Sequence, residues 1–130
     1  MLVVDAGVAL YAATSAGGFE RLAPHDPVAP PLMWSEALSV LHAGLWRDVT
    51  SVELATSARA RLLASPVARR VPDDLYVEAW QVADELGWAR TYDAEYVALA
   101  RLLGCRLITT DERLRRGASR VVDIIGPDDL

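Results

Sequence analysis

The fold is decided by two stretches, Leu2-Val3-Val4-Asp5 at one end of the chain and Leu103-Gly104-Cys105-Arg106-Leu107-Ile108-Thr109-Thr110-Asp111 towards the other. Each contains a short apolar run that is followed by an aspartate. A continuous apolar run of this length is typical of a strand buried on both faces, as in a parallel sheet. Both aspartates are therefore expected at the carboxyl end of a buried strand.

Outward from these stretches, apolar periodicity predicts strands and helices in alternation along the whole chain. The predicted strands cover residues 2–4, 28–30, 67–71, 105–109 and 121–125, and the predicted helices cover 7–14, 32–46, 50–64, 72–86, 91–103 and 111–116. Gly87 and Gly104 stand where a helix end favours glycine. Parallel strands require crossover connections, so the pattern predicts one α/β domain over residues 1–130, with helices on both faces of a parallel sheet.

Composition narrows the function classes. The 130 residues are 52% hydrophobic and 24% charged, without a run long enough to span a membrane and without a leader segment, so we expect a soluble, cytoplasmic globular protein. A single cysteine and two histidines exclude an internal disulfide and a Cys/His zinc site, which leaves oxygen ligands for any metal. The absence of lysine excludes a phosphate-binding P-loop, and no G-x-G-x-x-G follows the first strand.

Four acidic residues are placed unusually. Asp5 and Asp111 follow strands, and the carboxyl ends of strands in an open α/β sheet are the usual ligand site. Glu36 lies on one helical line with Met33 and Val40, and Asp93 shares a line with Tyr96, Val97 and Ala100, so both carboxylates are expected along core-facing stripes.

A buried carboxylate without a partner is costly, so these acids require compensation. If all four converge, their mutual repulsion raises their pKa values until a divalent cation lowers them. Oxygen ligands at neutral pH favour Mg²⁺ or Mn²⁺. The alternative is structural: Asp5, Asp93 and Asp111 each stand near a helix start and could simply cap it, whereas Glu36 has no such role.

The residues resemble a known family, the PIN domain, and within it the VapC-like toxin ribonucleases of type II toxin–antitoxin pairs. The resemblance covers essentially the whole chain and is carried by Leu2-Val3-Val4-Asp5, by Trp34-Ser35-Glu36 with Leu41, by Tyr92-Asp93-Ala94-Glu95-Tyr96-Val97-Ala98-Leu99-Ala100, and by Leu103 to Asp111. It implies a three-layer α/β/α fold with a short parallel five-stranded sheet of order 3-2-1-4-5. One departure is Gly7, where the family commonly has a small hydroxyl residue.

The resemblance also implies a chemistry, the Mg²⁺-dependent hydrolysis of RNA phosphodiesters, with Mn²⁺ as a possible substitute. Asp5 is expected to hold the main ion with Asp93 and Asp111, and Glu36 to ligate it or to orient the attacking water. Thr109 and Thr110 could add a supporting hydroxyl, although β-branched residues at a strand end need no function to explain them.

Substrate contacts are expected from arginines. The formal net charge is −5, but without the four site acids 14 acidic residues stand against 13 arginines, so the remaining surface is nearly neutral. Arg113, Arg115 and Arg116 follow Asp111 and would meet the phosphate backbone, with a solvated helix face as the alternative. The four tryptophans, Trp34, Trp46, Trp80 and Trp88, are expected to pack in the core or in an interface rather than to stack on bases.

The partners implied by the resemblance are a VapB-like antitoxin, an RNA substrate and a second copy of the chain, without a membrane. Two rival functions remain open. One is a catalytically silent PIN-like scaffold that binds protein or RNA, which would be expected to have lost one of the four acids. The other is a DNA nuclease with the same metal site.

Overall fold

The computed structural model describes residues 1–130 as five short parallel strands and six α-helices. The strands are β1 (Leu2–Val4), β2 (Pro27–Ala29), β3 (Ala68–Arg69), β4 (Arg106–Ile108) and β5 (Ile124–Ile125). The helices are α1 (Ala6–Thr14), α2 (Leu32–Trp46), α3 (Val52–Leu63), α4 (Leu75–Leu86), α5 (Tyr92–Leu103) and α6 (Glu112–Ala118). The sheet order is β3-β2-β1-β4-β5, so the expected α/β architecture with strand order 3-2-1-4-5 is confirmed.

The central strand β1 fixes the position of everything that follows it. It pairs in parallel with β2 on one side and with β4 on the other, and Val4 stands opposite Ile108. Leu2, Val3 and Val4 are all buried, and since successive side chains of a strand point to opposite faces, both faces of the sheet are covered. The segments that leave β1 and β4 therefore start side by side at the same edge.

The helices cover the sheet in two packed groups. Helix α5 packs against α4 and lies on β1 and β4, whereas α1, α2 and α3 pack against one another. Seven successive residues of α5, from Ala94 to Ala100, are buried, so this helix is enclosed on all sides. Gly87 and Gly104 end α4 and α5 in the left-handed conformation (φ of 71° and 64°), as the sequence predicts.

Several predicted ends of strands and helices are wrong, and β3 is not buried as predicted. Strand β3 is only two residues long rather than 67–71, and both of its residues are exposed. The strand predicted at 121–125 begins only at Ile124. The amides of Val121 and Val122 instead donate hydrogen bonds to the carbonyl of Ala118, so these residues form a turn at the end of α6. Helix α6 runs two residues beyond its predicted end, and α4 starts at Leu75 instead of Pro72.

The tryptophans divide into two pairs. Trp34 and Trp88 are partly buried against the core, as expected. Trp46 and Trp80 are 83% and 66% exposed, so neither packs in the core, and for these two residues only the interface alternative remains a prediction. None of the helices combines the length and the apolar character that crossing a bilayer requires.

Candidate active site

The four acids predicted from the sequence line one notch at the carboxyl edge of the sheet. Asp5 follows β1, Glu36 belongs to the second turn of α2, Asp93 lies in the first turn of α5, and Asp111 precedes α6. The notch has a volume of about 170 Å³, which leaves room for a hydrated cation. Residues that are 31 to 106 positions from Asp5 in the sequence thus face one small space.

Asp5 is the most buried of these acids, with 7% of its surface exposed. Its Oδ1 accepts a hydrogen bond from the amide of Val8 at 2.9 Å, and its Oδ2 accepts one from the hydroxyl of Thr109. Burial raises the pKa of Asp5 from 3.8 to about 6; the two hydrogen bonds oppose this rise, and the charges of Asp111 and Asp93 add to it. No cationic side chain forms an ion pair with it.

Asp111 is joined to Asp5 through Thr109. The hydroxyl of Thr109 donates to Asp5, and the same oxygen accepts a hydrogen bond from the amide of Asp111 at 3.0 Å. The Oδ1 of Asp111 caps α6 by accepting from the amides of Arg113 and Leu114. The structural interpretation of Asp5 and Asp111 as helix caps is therefore confirmed, and the same two residues also line the notch.

Glu36 is held by a residue whose role the sequence did not reveal. The hydroxyl of Tyr96 donates to Oε1 of Glu36 at 2.6 Å, and burial together with this hydrogen bond raises the pKa of Tyr96 above its ordinary value. Since the hydroxyl of a buried tyrosine needs a hydrogen-bond partner, the predicted burial of Tyr96 was the signal in the sequence that could have indicated such a contact. Met33 is buried but Val40 is exposed, so Glu36 stands at the rim of the core rather than on a fully core-facing stripe.

Asp93 has no hydrogen-bond partner for its carboxylate. Burial raises its pKa, the charge of Asp111 raises it further, and the guanidinium of Arg113 opposes the shift. A fifth acid, Glu95, is buried on the same helix, and its pKa is raised by burial and then by the charge of Glu36. Glu95 does not line the notch, and the sequence prediction did not include it.

The chemistry of the notch fits a hard divalent cation. The available donors are carboxylate oxygens without cationic partners, and two of the acids have raised pKa values that a cation would lower. No three His, Cys, Asp or Glu side chains are arranged as a ready-made metal site. This agrees with the hydrogen bonds above, because three of the four acids direct an oxygen towards a protein donor.

The predicted substrate arginines all belong to α6 but do not line one common space. Arg113 lines a larger cleft beside the notch. Arg115 instead pairs with Asp129 at 3.5 Å, and the exposed Arg116 lines neither space.

The position of Gly7, where the resemblance leads us to expect a hydroxyl, also lines the notch. A Cβ at this glycine would lie 3.4 Å from Oγ1 of Thr110. The hydroxyl of Thr110 therefore stands beside the place that a residue-7 side chain would occupy.

Comparisons with known proteins agree with this fold. The PIN domain family model matches residues 2–119, so the chain belongs to the PIN-domain family. Among its curated relatives is Ribonuclease VapC9 of Mycobacterium tuberculosis, which is 34% identical over 115 residues that cover 88% of each chain.

Solved structures share the fold. The structure of PAE2754 from Pyrobaculum aerophilum matches with a TM-score of 0.70 and 26% identity over 98% of this chain and 91% of that one. A toxin–antitoxin complex from Klebsiella pneumoniae matches with a TM-score of 0.65 over 96% of both chains, at 14% identity.

The raised pKa of Asp5 predicts how stability depends on pH in the metal-free protein. Since the folded pKa of about 6 exceeds the unfolded value of 3.8, the folded state binds the proton more tightly. Asp5 should therefore reduce the free energy of unfolding as the pH rises from about 4 to about 7, by up to about 3 kcal/mol. Asp5→Asn should gain stability relative to the natural chain over this range. Urea unfolding in EDTA measures the difference, and a difference independent of pH would contradict the prediction.

Proposed function

We propose that this protein is a Mg²⁺-dependent endoribonuclease and the toxin of a type II toxin–antitoxin pair, acting in the cytoplasm. The observation that carries the proposal is the notch in which Asp5, Glu36, Asp93 and Asp111 meet without a cationic partner. The ribonuclease activity in the names of the curated relatives supports RNA as the substrate. The presence of all four acids argues against a catalytically silent scaffold.

In this proposal, Asp5, Asp93 and Asp111 hold Mg²⁺, and Glu36 either ligates it or orients the water that attacks the phosphodiester. When bound there, Mg²⁺ would lower the pKa of a water molecule and offset negative charge on the phosphate and on the leaving oxygen. Tyr96 fixes the carboxylate of Glu36 through its hydroxyl, and this leaves Oε2 free to accept a proton from water. Thr109 holds the carboxylate of Asp5 in a single orientation.

The central test is RNA cleavage by Asp5→Asn. The substitution removes one ligand charge but keeps an oxygen that can cap α1, so we expect the fold to remain and Mg²⁺-dependent cleavage to fall by at least about 100-fold. The assay is cleavage of single-stranded RNA followed on gels, with folding checked by circular dichroism. Cleavage at the natural rate would show that Asp5 has been assigned wrongly.

Two controls separate the rival functions. Asp123→Asn changes an exposed aspartate just before β5, away from the notch, and should cleave as the natural chain does. A DNA strand of matched sequence should remain intact. Faster cutting of DNA would indicate a DNA nuclease, and no cutting of either strand by the natural chain with Mg²⁺ would favour the silent scaffold.

Metal binding can be tested without activity. A cation that binds only the native state raises the melting temperature. At millimolar Mn²⁺ we expect a gain of several degrees in the natural chain and a clearly smaller gain in Asp93→Ala, because this carboxylate has no protein hydrogen bond to lose. Differential scanning fluorimetry measures both. Equal gains in the two proteins would remove Asp93 from the ligand set.

We further propose two protein partners, a VapB-like antitoxin and a second copy of this chain. The shared fold of the Klebsiella pneumoniae toxin–antitoxin complex is compatible with the first. For the second, the apolar side chains of Tyr76, Val77 and Trp80 are exposed next to one another on α4. A neighbouring reading frame that encodes a small DNA-binding protein would support the antitoxin.

The homodimer is tested by Trp80→Glu. A charge at the centre of the α4 surface should convert a dimer to a monomer at micromolar concentration, as measured by light scattering after size-exclusion chromatography. Trp46→Glu, which changes a comparably exposed tryptophan at the end of α2, is the matched control and should remain dimeric. A monomeric natural chain would rule the dimer out.

A further inference from the structure

A larger cleft of about 540 Å³ opens directly beside the acidic notch. The two spaces share Glu36, Asp93 and Leu114. The rest of the cleft is formed chiefly by the loop between α4 and α5, which carries Trp88 and Arg90, and by Arg113 of α6. Its volume lies within the range of small-ligand sites, so it is large enough for one nucleotide.

Two arginines of this cleft have free guanidinium groups. Neither Arg90 nor Arg113 forms an ion pair or donates a side-chain hydrogen bond within the chain, although acidic residues outnumber basic ones. Arg113 and Asp93 both line the cleft, without a salt bridge between them. Positive charge without an internal partner therefore adjoins the carboxylates, and phosphate is a suitable ligand for such guanidiniums.

Besides the two arginines, the cleft contains the ring of Trp88, which packs against α6. A Cβ at Gly117 would lie only 3.3 Å from Cζ2 of Trp88, so the indole packs against this glycine. Its backbone amide is also fixed, by a 2.9 Å hydrogen bond to the carbonyl of Ala83. The side chain is only partly buried and lines the cleft, so part of a rigid aromatic surface remains accessible next to the two arginines.

We propose that this cleft binds one unpaired nucleotide of the RNA, adjacent to the bond that is cut, with its base on Trp88 and its phosphate at Arg90 and Arg113. The inference rests on the proposed function, because it assigns a subsite to the same active site. A base can reach an aromatic ring only when it is not stacked in a duplex, so the substrate class is single-stranded RNA. Trp88 then selects unpaired over paired RNA, in addition to the packing role expected from the sequence.

Binding is measured in the Asp5→Asn background, where the RNA is not cut, by fluorescence anisotropy of a labelled oligoadenylate of about 12 nucleotides. Inorganic polyphosphate of similar length competes as a probe that has charge but no bases. Trp88→Ala should weaken RNA binding about tenfold and leave polyphosphate binding unchanged. Arg90→Gln and Arg113→Gln should weaken both probes and each reduce the slope of log affinity against log salt by about 0.7.

Two control variants change residues away from the cleft and should bind RNA as the natural chain does. Arg106→Gln changes an exposed arginine at the amino end of β4, on the opposite edge of the sheet, and Trp46→Ala changes an exposed indole. If Trp88→Ala does not fold, Ala89→Glu adds a negative charge at an exposed residue of the cleft and should weaken both probes. Annealing oligouridylate to the RNA should remove the contribution of Trp88.

Kinetics distinguish this inference from the proposed function. In chains that retain Asp5, Trp88→Ala should raise KM about tenfold and change kcat by less than about threefold, since the contact is made before and during the reaction. Unchanged RNA affinity and KM in Trp88→Ala, with RNA still cut, would overturn the subsite alone. If the natural chain cuts no RNA but binding still depends on Trp88, the nuclease proposal is wrong and the binding site stands.

Discussion

The site depends on the parallel pairing of β1 with β4. Because Val4 stands opposite Ile108, the segments that follow β1 and β4 leave the sheet side by side at its carboxyl edge. One hydroxyl can then bridge these two segments. Thr109 provides this bridge by donating to the carboxylate of Asp5 and accepting from the amide of Asp111. Two acids that are 106 residues apart in the sequence are thereby fixed relative to each other by backbone geometry and one side chain.

The same arrangement explains how two of the acids can cap helices and still line the notch. Asp5 and Asp111 each use one oxygen to cap the helix that follows, and this aligns the carboxylate with the helix start. Glu36 is oriented by Tyr96 from a different helix. Each of these three groups is thus held by a donor of the protein itself, which limits the freedom that a ligand would have to remove on binding.

Much of this could be predicted from the sequence, for identifiable reasons. The apolar runs before Asp5 and Asp111 are local signals that located β1 and β4, and the glycines at positions 87 and 104 located two helix ends. The order of the strands in the sheet was predicted from the family resemblance. Tyr96 was assigned to the core because periodicity reports burial and not the partner of a hydroxyl. The cleft at Trp88 depends on the packing of the α4–α5 loop against Gly117, which no local pattern encodes. The extent of β3 and β5 was overestimated because β-branched residues also occur in turns and in irregular segments, as Val67, Val71, Val121 and Val122 do.

The short edge strands β3 and β5 limit the ways in which this molecule can associate with other polypeptides. Each pairs over only two residues, and β3 ends in an arginine, so neither border offers an extended row of free amides and carbonyls to another polypeptide. Backbone-to-backbone joining of molecules into longer sheets is therefore disfavoured. Contacts with other molecules are then left chiefly to side chains, which can be complementary to one surface and reject others.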